Sequence, residues 1–268
     1  MTSNNQNLYN SKYLPNNYKI NPISWADYWR FIPCLEASGV VQMAIDEWLL
    51  EQHILGLQPP TLRFYTWWPV AISLGYNQHK WPEFWQGLSW QNQPIDIVRR
   101  PTGGRAVLHQ GDLTYAVIIS GLKGDRLQDY QNICEFLIQG WKRLGLELHY
   151  GLAGRNYINN ANCFATATGA DLVSGDGAKF IGSAQLRRGN AILQHGSMRL
   201  EPDVKLFEEV FGEVQPTVKL PLLADKNTLL PIIIENLCAA AIEWFGIKLV
   251  SQPLSETEWQ VIRSRVVS

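Results

Sequence analysis

The stretch "DLVSGDGAKFIGSAQLRRGNAILQHGSMRL", residues 171–200, decides how this chain folds. Short apolar and β-branched pieces are cut by two turn signals, Ser-Gly-Asp-Gly at 174–177 and Arg-Arg-Gly-Asn at 187–190. Glycine supplies the positive φ that a tight hairpin turn requires, so the stretch predicts consecutive antiparallel strands. Upstream, "AVLHQGDLTYAVIIS" (106–120) alternates and then turns apolar, which predicts a strand or strand pair interrupted near "QGD". "TLRFYTWW" (61–68) and "VAISLGY" (70–76), parted by Pro69, and "IDIVRR" (95–100) predict further strands.

Helical periodicity surrounds these segments. Residues 38–56 place Val41, Ala44, Ile45, Trp48 and Leu49 on one face, with Ser38 as the expected cap. Residues 127–146 return to the same period and lead into a strand at 146–151, and from 203 onward helices are expected at 203–212, 227–246 and 254–267. Strands and helices are mixed without strict βαβ alternation. The fold class is therefore α+β, a mixed, largely antiparallel sheet flanked by helices. The Asn-rich residues 1–22 are expected to be a disordered lead, 23–250 one domain, and 251–268 a C-terminal helix.

Composition excludes several functions. Of 268 residues, 46% are hydrophobic, enough for a substantial core, and 23 basic against 24 acidic residues give a net charge of −1. A balance this close to neutral creates no field that would recruit nucleic acid or an anionic membrane. No basic and apolar leader is present, and the long apolar run at 229–246 is interrupted by charges, so a cytoplasmic protein without a membrane span is expected. There is no Walker A loop, H-E-x-x-H or G-x-S-x-G motif, and "GDGAKF" (175–180) departs from a dinucleotide loop at Phe180. Histidines at 53, 79, 109, 149 and 195 are too scattered to predict a metal site.

Two stretches remain unusual. In "RRPTGGRAVLH" (99–109), adjacent Gly103 and Gly104 permit either an anion-binding backbone concavity or a simple tight turn beside surface arginines. The second is "NCFAT" (162–166). Cys134 and Cys238 sit on apolar helical stripes, and Cys34 precedes the first helix, whereas Cys163 lies among small polar residues, with Lys179 sixteen residues on. A catalytic thiol must be reachable and ionisable, and a structural one need be neither, so context singles out Cys163, although an incidental loop cysteine has the same appearance.

Taken together, "RRPTGGRAVLHQGDLTYAVI", "NCF" and "GAKFIGSAQLRRGNAILQHGSM" resemble the biotin/lipoate A/B protein ligase family, and within it the cysteine-dependent octanoyltransferases, over roughly residues 29–211. The resemblance implies that an octanoyl group passes from acyl carrier protein to a lysine of a lipoyl-accepting protein, such as the glycine cleavage H protein or a dehydrogenase lipoyl domain. It implies Cys163 as nucleophile and Lys179 as its lysine partner. Arg100, Gly103, Gly104 and His109 would form one wall of the acyl pocket, with Ser183, Ala184 and Gln185 on the facing hairpin. It implies no ATP, cofactor or metal, and a monomer is expected. Family ligases that use ATP commonly carry Gly-Gly-Gly and an acidic residue after the histidine. Here Arg105 follows Gly104 and Gln110 follows His109, which favours transfer over ligation. An ATP-dependent lipoate or octanoate ligase, amidotransfer between lipoyl domains, and a non-catalytic acyl-binding module are the alternatives. The segment after the cysteine, "FATATGADLV", is less aromatic than the family pattern.

Overall fold

A computed structural model describes residues 28–151, 171–214, 218–221 and 226–267. Cys163 and the expected lead at 1–22 lie outside the described residues. In chain order the elements are β1 (Tyr28–Ala37), α1 (Gly39–Ile54), β2 (Thr61–Trp67), β3 (Ala71–Leu74), β4 (Ser89–Trp90), β5 (Gln93–Pro94), β6 (Asp96–Arg99), β7 (Val107–His109), β8 (Asp112–Ser120) and α2 (Arg126–Arg143). They continue as β9 (Leu148–Tyr150), β10 (Leu172–Ser174), β11 (Lys179–Arg188), β12 (Ala191–Arg199), α3 (Val204–Phe211), α4 (Lys226–Phe245), β13 (Lys248–Ser251) and α5 (Glu256–Val267).

The main sheet has the order β13-β1-β2-β8-β12-β11-β10-β9. The first two pairings are parallel and the rest antiparallel, so the sheet is mixed and largely antiparallel, as expected. The 171–200 stretch supplies β10, β11 and β12, with turns at 175–176 and 189–190, where the two turn signals fall. A small sheet, β6-β3-β7, stands beside the main one, and β7 ends at His109, opposite Ala71.

Strand alternation divides the core around the main sheet into two layers, and a third cluster, with Ile72, Leu74 and Phe207, lies under the small sheet. β8 sends Leu113, Tyr115, Val117 and Ile119 into one cluster with Tyr130, Ile133, Phe136 and Leu137 of α2 and Ile233 and Leu237 of α4. Its intervening Ala116 and Ile118 join Met43, Ile45, Trp48 and Leu49 of α1 and Ile262 of α5 on the other face. Each such fully buried aliphatic side chain contributes roughly 1.5–3 kcal/mol by leaving water. The same parity places Gln194 on the α2 side and His195 on the α1 side, which decides which network each joins.

Several local expectations change. By length and composition Thr228–Phe245 in α4 is long and apolar enough to cross a membrane, since only Glu235 and Glu243 interrupt it. In the fold its Leu229, Ile233, Leu237, Ala240 and Ala241 are core residues of the α2 layer. Ser38 occupies the cap position of α1 with extended backbone but makes no side-chain cap bond, whereas Asp125 and Gln128 form a reciprocal capping box at α2. β1 was not foreseen: Pro33 lies within it, and the register to β2 shifts between Ile32 and Leu35, a bulge where a missing N–H breaks no ladder. The C-terminal segment is tied to this strand. β13 pairs with β1, and fully buried Arg30 reaches Glu258 of α5 at 2.7 Å.

Candidate functional site

A cavity of about 210 Å³ lies between the arginine-glycine loop, α1 and the β11–β12 hairpin, and runs on to Arg126 and Tyr130 of α2 and Asp171 before β10. β10 pairs with β11 only at Lys179 and Ile181, so among the described residues β11 has a free edge from Gly182 onward, and the cavity follows it.

Arg100 shapes the loop wall. Its guanidinium donates to Ser73 O at 2.8 Å, Ser73 Oγ at 3.1 Å, Gly103 O at 2.8 Å and Arg105 O at 2.7 Å. Arg100 therefore lines the cavity as a clamp on the loop's own carbonyls. Gly104 has φ +95°, and a Cβ on Gly75 would stand 1.8 Å from Gly104 O, so this double approach of backbones admits only glycine. The loop closes against the end of β3 with Arg100 and Thr102 buried beneath it, while Gly103 is half-buried and Gly104 and Arg99 are exposed.

Two imidazoles face the cavity, each held from both sides. His109 Nδ1 lies 2.8 Å from Asp112 Oδ2, and its Nε2 lies 2.8 Å from Ser73 Oγ. The ring stacks on Trp67 at 3.8 Å and 14°. Asp112 Oδ2 also accepts from Thr114 and Ser197 at 3.2 and 2.7 Å. Burial pushes the His109 pKa below its ordinary value, although Asp112 pulls the other way. A neutral ring then carries its proton on Nδ1 for the carboxylate and accepts the Ser73 hydroxyl proton at Nε2. His195 has the parallel arrangement: Nδ1 lies 2.8 Å from Asp46 Oδ2 and Nε2 lies 2.7 Å from Thr102 Oγ1. Asp46 is paired in turn with Arg63 at 3.0 Å and accepts from Tyr65 Oη at 2.9 Å.

The hairpin contributes Ser183, Ala184 and Gln185 to the lining. Gln185 Nε2 donates to Gln194 Oε1 at 3.0 Å, Gln194 Nε2 to Tyr115 Oη at 3.1 Å, and Tyr115 Oη to Ser183 Oγ at 2.9 Å. This is a continuous donor chain that ends at the cavity. Lys179, at the start of β11, is buried and is not itself in the lining; its Nζ lies 2.9 Å from Asp171 Oδ1, and Asp171 is. The structure thus gathers Arg100, Gly103, Gly104, His109, Ser183, Ala184 and Gln185 around one space and sets Lys179 directly behind it.

None of the three described thiols lines that space. Burial pushes the Cys134 and Cys238 thiols up to about 12, far from ionisation at neutral pH, and Cys34 lies on β1. Asp46, Ser73, Thr102, Asp112 and His195 belong to no motif that marks them for this site in the sequence. A signal for Asp46 was present: Gln42 and Asp46, one turn apart, fall on the buried face of α1.

A model of the lipoyl protein ligase A/B catalytic domain matches residues 38–220, the span that builds the loop, the main strands and the hairpin. The chain belongs to this lipoyl protein ligase A/B family. Within it, the octanoyltransferase LipM of Carboxydothermus hydrogenoformans is 42% identical over 184 residues, which is 67% of this chain and 68% of the relative. LipM of Lysinibacillus sphaericus is 34% identical over 260 residues, 88% of this chain and 94% of the relative. Among solved structures, a lipoate-protein ligase A bound with ATP superposes with a TM-score of 0.69 at 23% identity, covering 90% of this chain and 95% of that one. A bipartite lipoate protein ligase from Thermoplasma acidophilum gives 0.64 at 20%, covering 90% and 92%. These likenesses establish the fold, which is that of the lipoate-protein ligases.

Proposed function

We propose that this chain takes an octanoyl group from acyl carrier protein onto Cys163 as a thioester and passes it to a lysine of a lipoyl-accepting protein, with Lys179 as the cation beside the reacting carbonyl. Octanoyl transfer in lipoate biosynthesis is supported by the LipM relatives at 34–42% identity. The observation that carries the reading is the cavity between the arginine-glycine loop and the hairpin, with Lys179 buried behind its Asp171 wall.

The chemistry suits such a site. A thioester donor is already activated, so exchange onto a second thiol is nearly isoenergetic, and amide formation on lysine draws the sequence forward. A cation near the thiol favours the thiolate, whose unperturbed pKa is about 8.5. An octanoyl chain gains roughly 0.8 kcal/mol for each methylene it buries. The high pKa values of Cys134 and Cys238 favour Cys163 as the nucleophile. A glycine cleavage H protein or a dehydrogenase lipoyl domain would be the acceptor, and a cytoplasmic location accords with these partners.

The test is intact-mass analysis of purified protein mixed with octanoyl-acyl carrier protein. A hydroxylamine-sensitive octanoyl adduct that is lost in Cys163→Ala supports the proposal. Transfer that persists in Cys163→Ala, or that requires ATP and free octanoate, overturns it in favour of ligation.

A further inference from the structure

Tyr130, on α2, is 6% exposed and lines the cavity, yet its buried hydroxyl makes no hydrogen bond among the described residues. Leaving a buried hydroxyl unsatisfied is costly, so its persistence calls for a use. The neighbouring polar groups do not supply one. Ser183 stands close enough to bias the ionisation of the Tyr130 phenol, and its Oγ accepts from Tyr115 at 2.9 Å. The Ser183 proton is then left to point away from Tyr115, at the end of the chain that runs from Gln185 through Gln194 and Tyr115. Asp171 also acts electrostatically on Tyr130, and Asp171 holds Lys179, so the two hydroxyls belong to the Lys179 end of the cavity.

We propose that the Tyr130 hydroxyl, together with that of Ser183, receives the acyl carbonyl oxygen and stabilises the oxyanion formed as the acyl group changes hands. The inference rests on the acyl-transfer reading above. When a thiolate adds to the thioester carbonyl, a C–S bond forms and the C=O π pair moves to oxygen. Collapse of that oxyanion restores the carbonyl and expels the carrier's thiolate. When the acceptor amine attacks next, the same oxygen gains and loses charge, a C–N bond forms, and the amine's proton leaves with the expelled enzyme thiolate. Both steps need donors aimed at one oxygen, and water-excluded donors that are already in place require no reorganisation. Burial and the nearby negative groups keep the phenol protonated, and therefore a donor, at neutral pH. The chain of bonds behind Ser183 polarises its hydroxyl in the same direction.

The experiment compares wild type with Tyr130→Phe, using octanoyl-acyl carrier protein as donor and a lipoyl domain as acceptor, and measures kcat, KM and Tm. Loss of one oxyanion donor is expected to lower kcat by about 10²-fold or more with KM little changed, because the charge exists only in the transition state. Tm should hold or rise, since the hydroxyl removed was unsatisfied. An unchanged kcat overturns the proposal, as does a fall in Tm with unchanged kcat, which would mark Tyr130 as holding a buried water. Wild type that transfers normally while Tyr130→Phe does too defeats this inference alone. Wild type that forms no octanoyl product defeats it together with the acyl-transfer reading.

Discussion

Lys179 Nζ lies 2.9 Å from Asp171 Oδ1, with both side chains almost fully buried at the back of the cavity. The pair holds a cation at the base of the hairpin while Asp171 faces the space itself. Breaking such a pair from one side leaves an uncompensated buried charge, which costs about 3–5 kcal/mol. Asp171→Asn is expected to destabilise the protein by an amount in that range in urea denaturation and to slow octanoyl transfer. Stability close to wild type would show that Lys179 does not depend on this carboxylate.

His109 sets a pH dependence. Its folded pKa lies below the unfolded 6.5 because burial disfavours the imidazolium. Between those two values the unfolded chain binds more protons than the native one, so stability rises with pH across that window and is flat above it. Denaturation midpoints measured from pH 5 to 8 should therefore fall as the pH drops below about 6.5. The slope should be shallower in His109→Asn, and equal slopes would mean that the imidazole takes up its proton in the native state as easily as in the unfolded one.

The fold was legible where local chemistry and tertiary need agree. The Ser-Gly-Asp-Gly and Arg-Arg-Gly-Asn turns gave β10, β11 and β12, and the period around Ile45 and Leu49 gave α1. β1 was hidden because Pro33 reads as a strand breaker until a bulge accommodates it, and β13 is too short to show a pattern without its partner. At the site, glycine pairs and a lysine carry a motif's signature. Asp46 and His195 are 149 residues apart and meet only because α1 packs on the alternate face of β12, a relationship no local spacing encodes. Tyr130 was equally invisible, since an aromatic on an apolar helical stripe looks like core.

Asp46 joins Arg63 and His195 in a network closed to solvent, with Tyr65 as a further donor. Neutralising the acid leaves the Arg63 guanidinium without its carboxylate and removes the group that orients the His195 ring. Asp46→Asn should cost about 3–5 kcal/mol, read from denaturant midpoints, because an arginine remains buried and unpaired. Pairing Asp46→Asn with Arg63→Met should recover part of that loss. A double variant no more stable than the single one would show that the network acts through Tyr65 and His195 instead.

The hairpin floor depends on the absence of a side chain at Gly196. A Cβ there would stand 2.4 Å from Ser183 Oγ, 2.7 Å from Tyr115 Cε1 and 2.8 Å from Gly182 O, distances that atoms do not tolerate. The Ser183 hydroxyl can rotate aside, but the Tyr115 ring is wedged edge-on against Phe136 at 5.9 Å, and Gly182 O belongs to the β11 backbone. Overpacking of this kind costs typically 1–3 kcal/mol. Gly196→Ala should therefore lower Tm and displace Ser183 from Tyr115, so that octanoyl transfer falls further than the loss of folded protein accounts for. Gly87→Ala, where a Cβ meets nothing within 4 Å, is the control and should leave both unchanged. If Gly196→Ala loses stability yet keeps its transfer rate per folded molecule, then the Tyr115–Ser183 contact serves packing and has no part in the site.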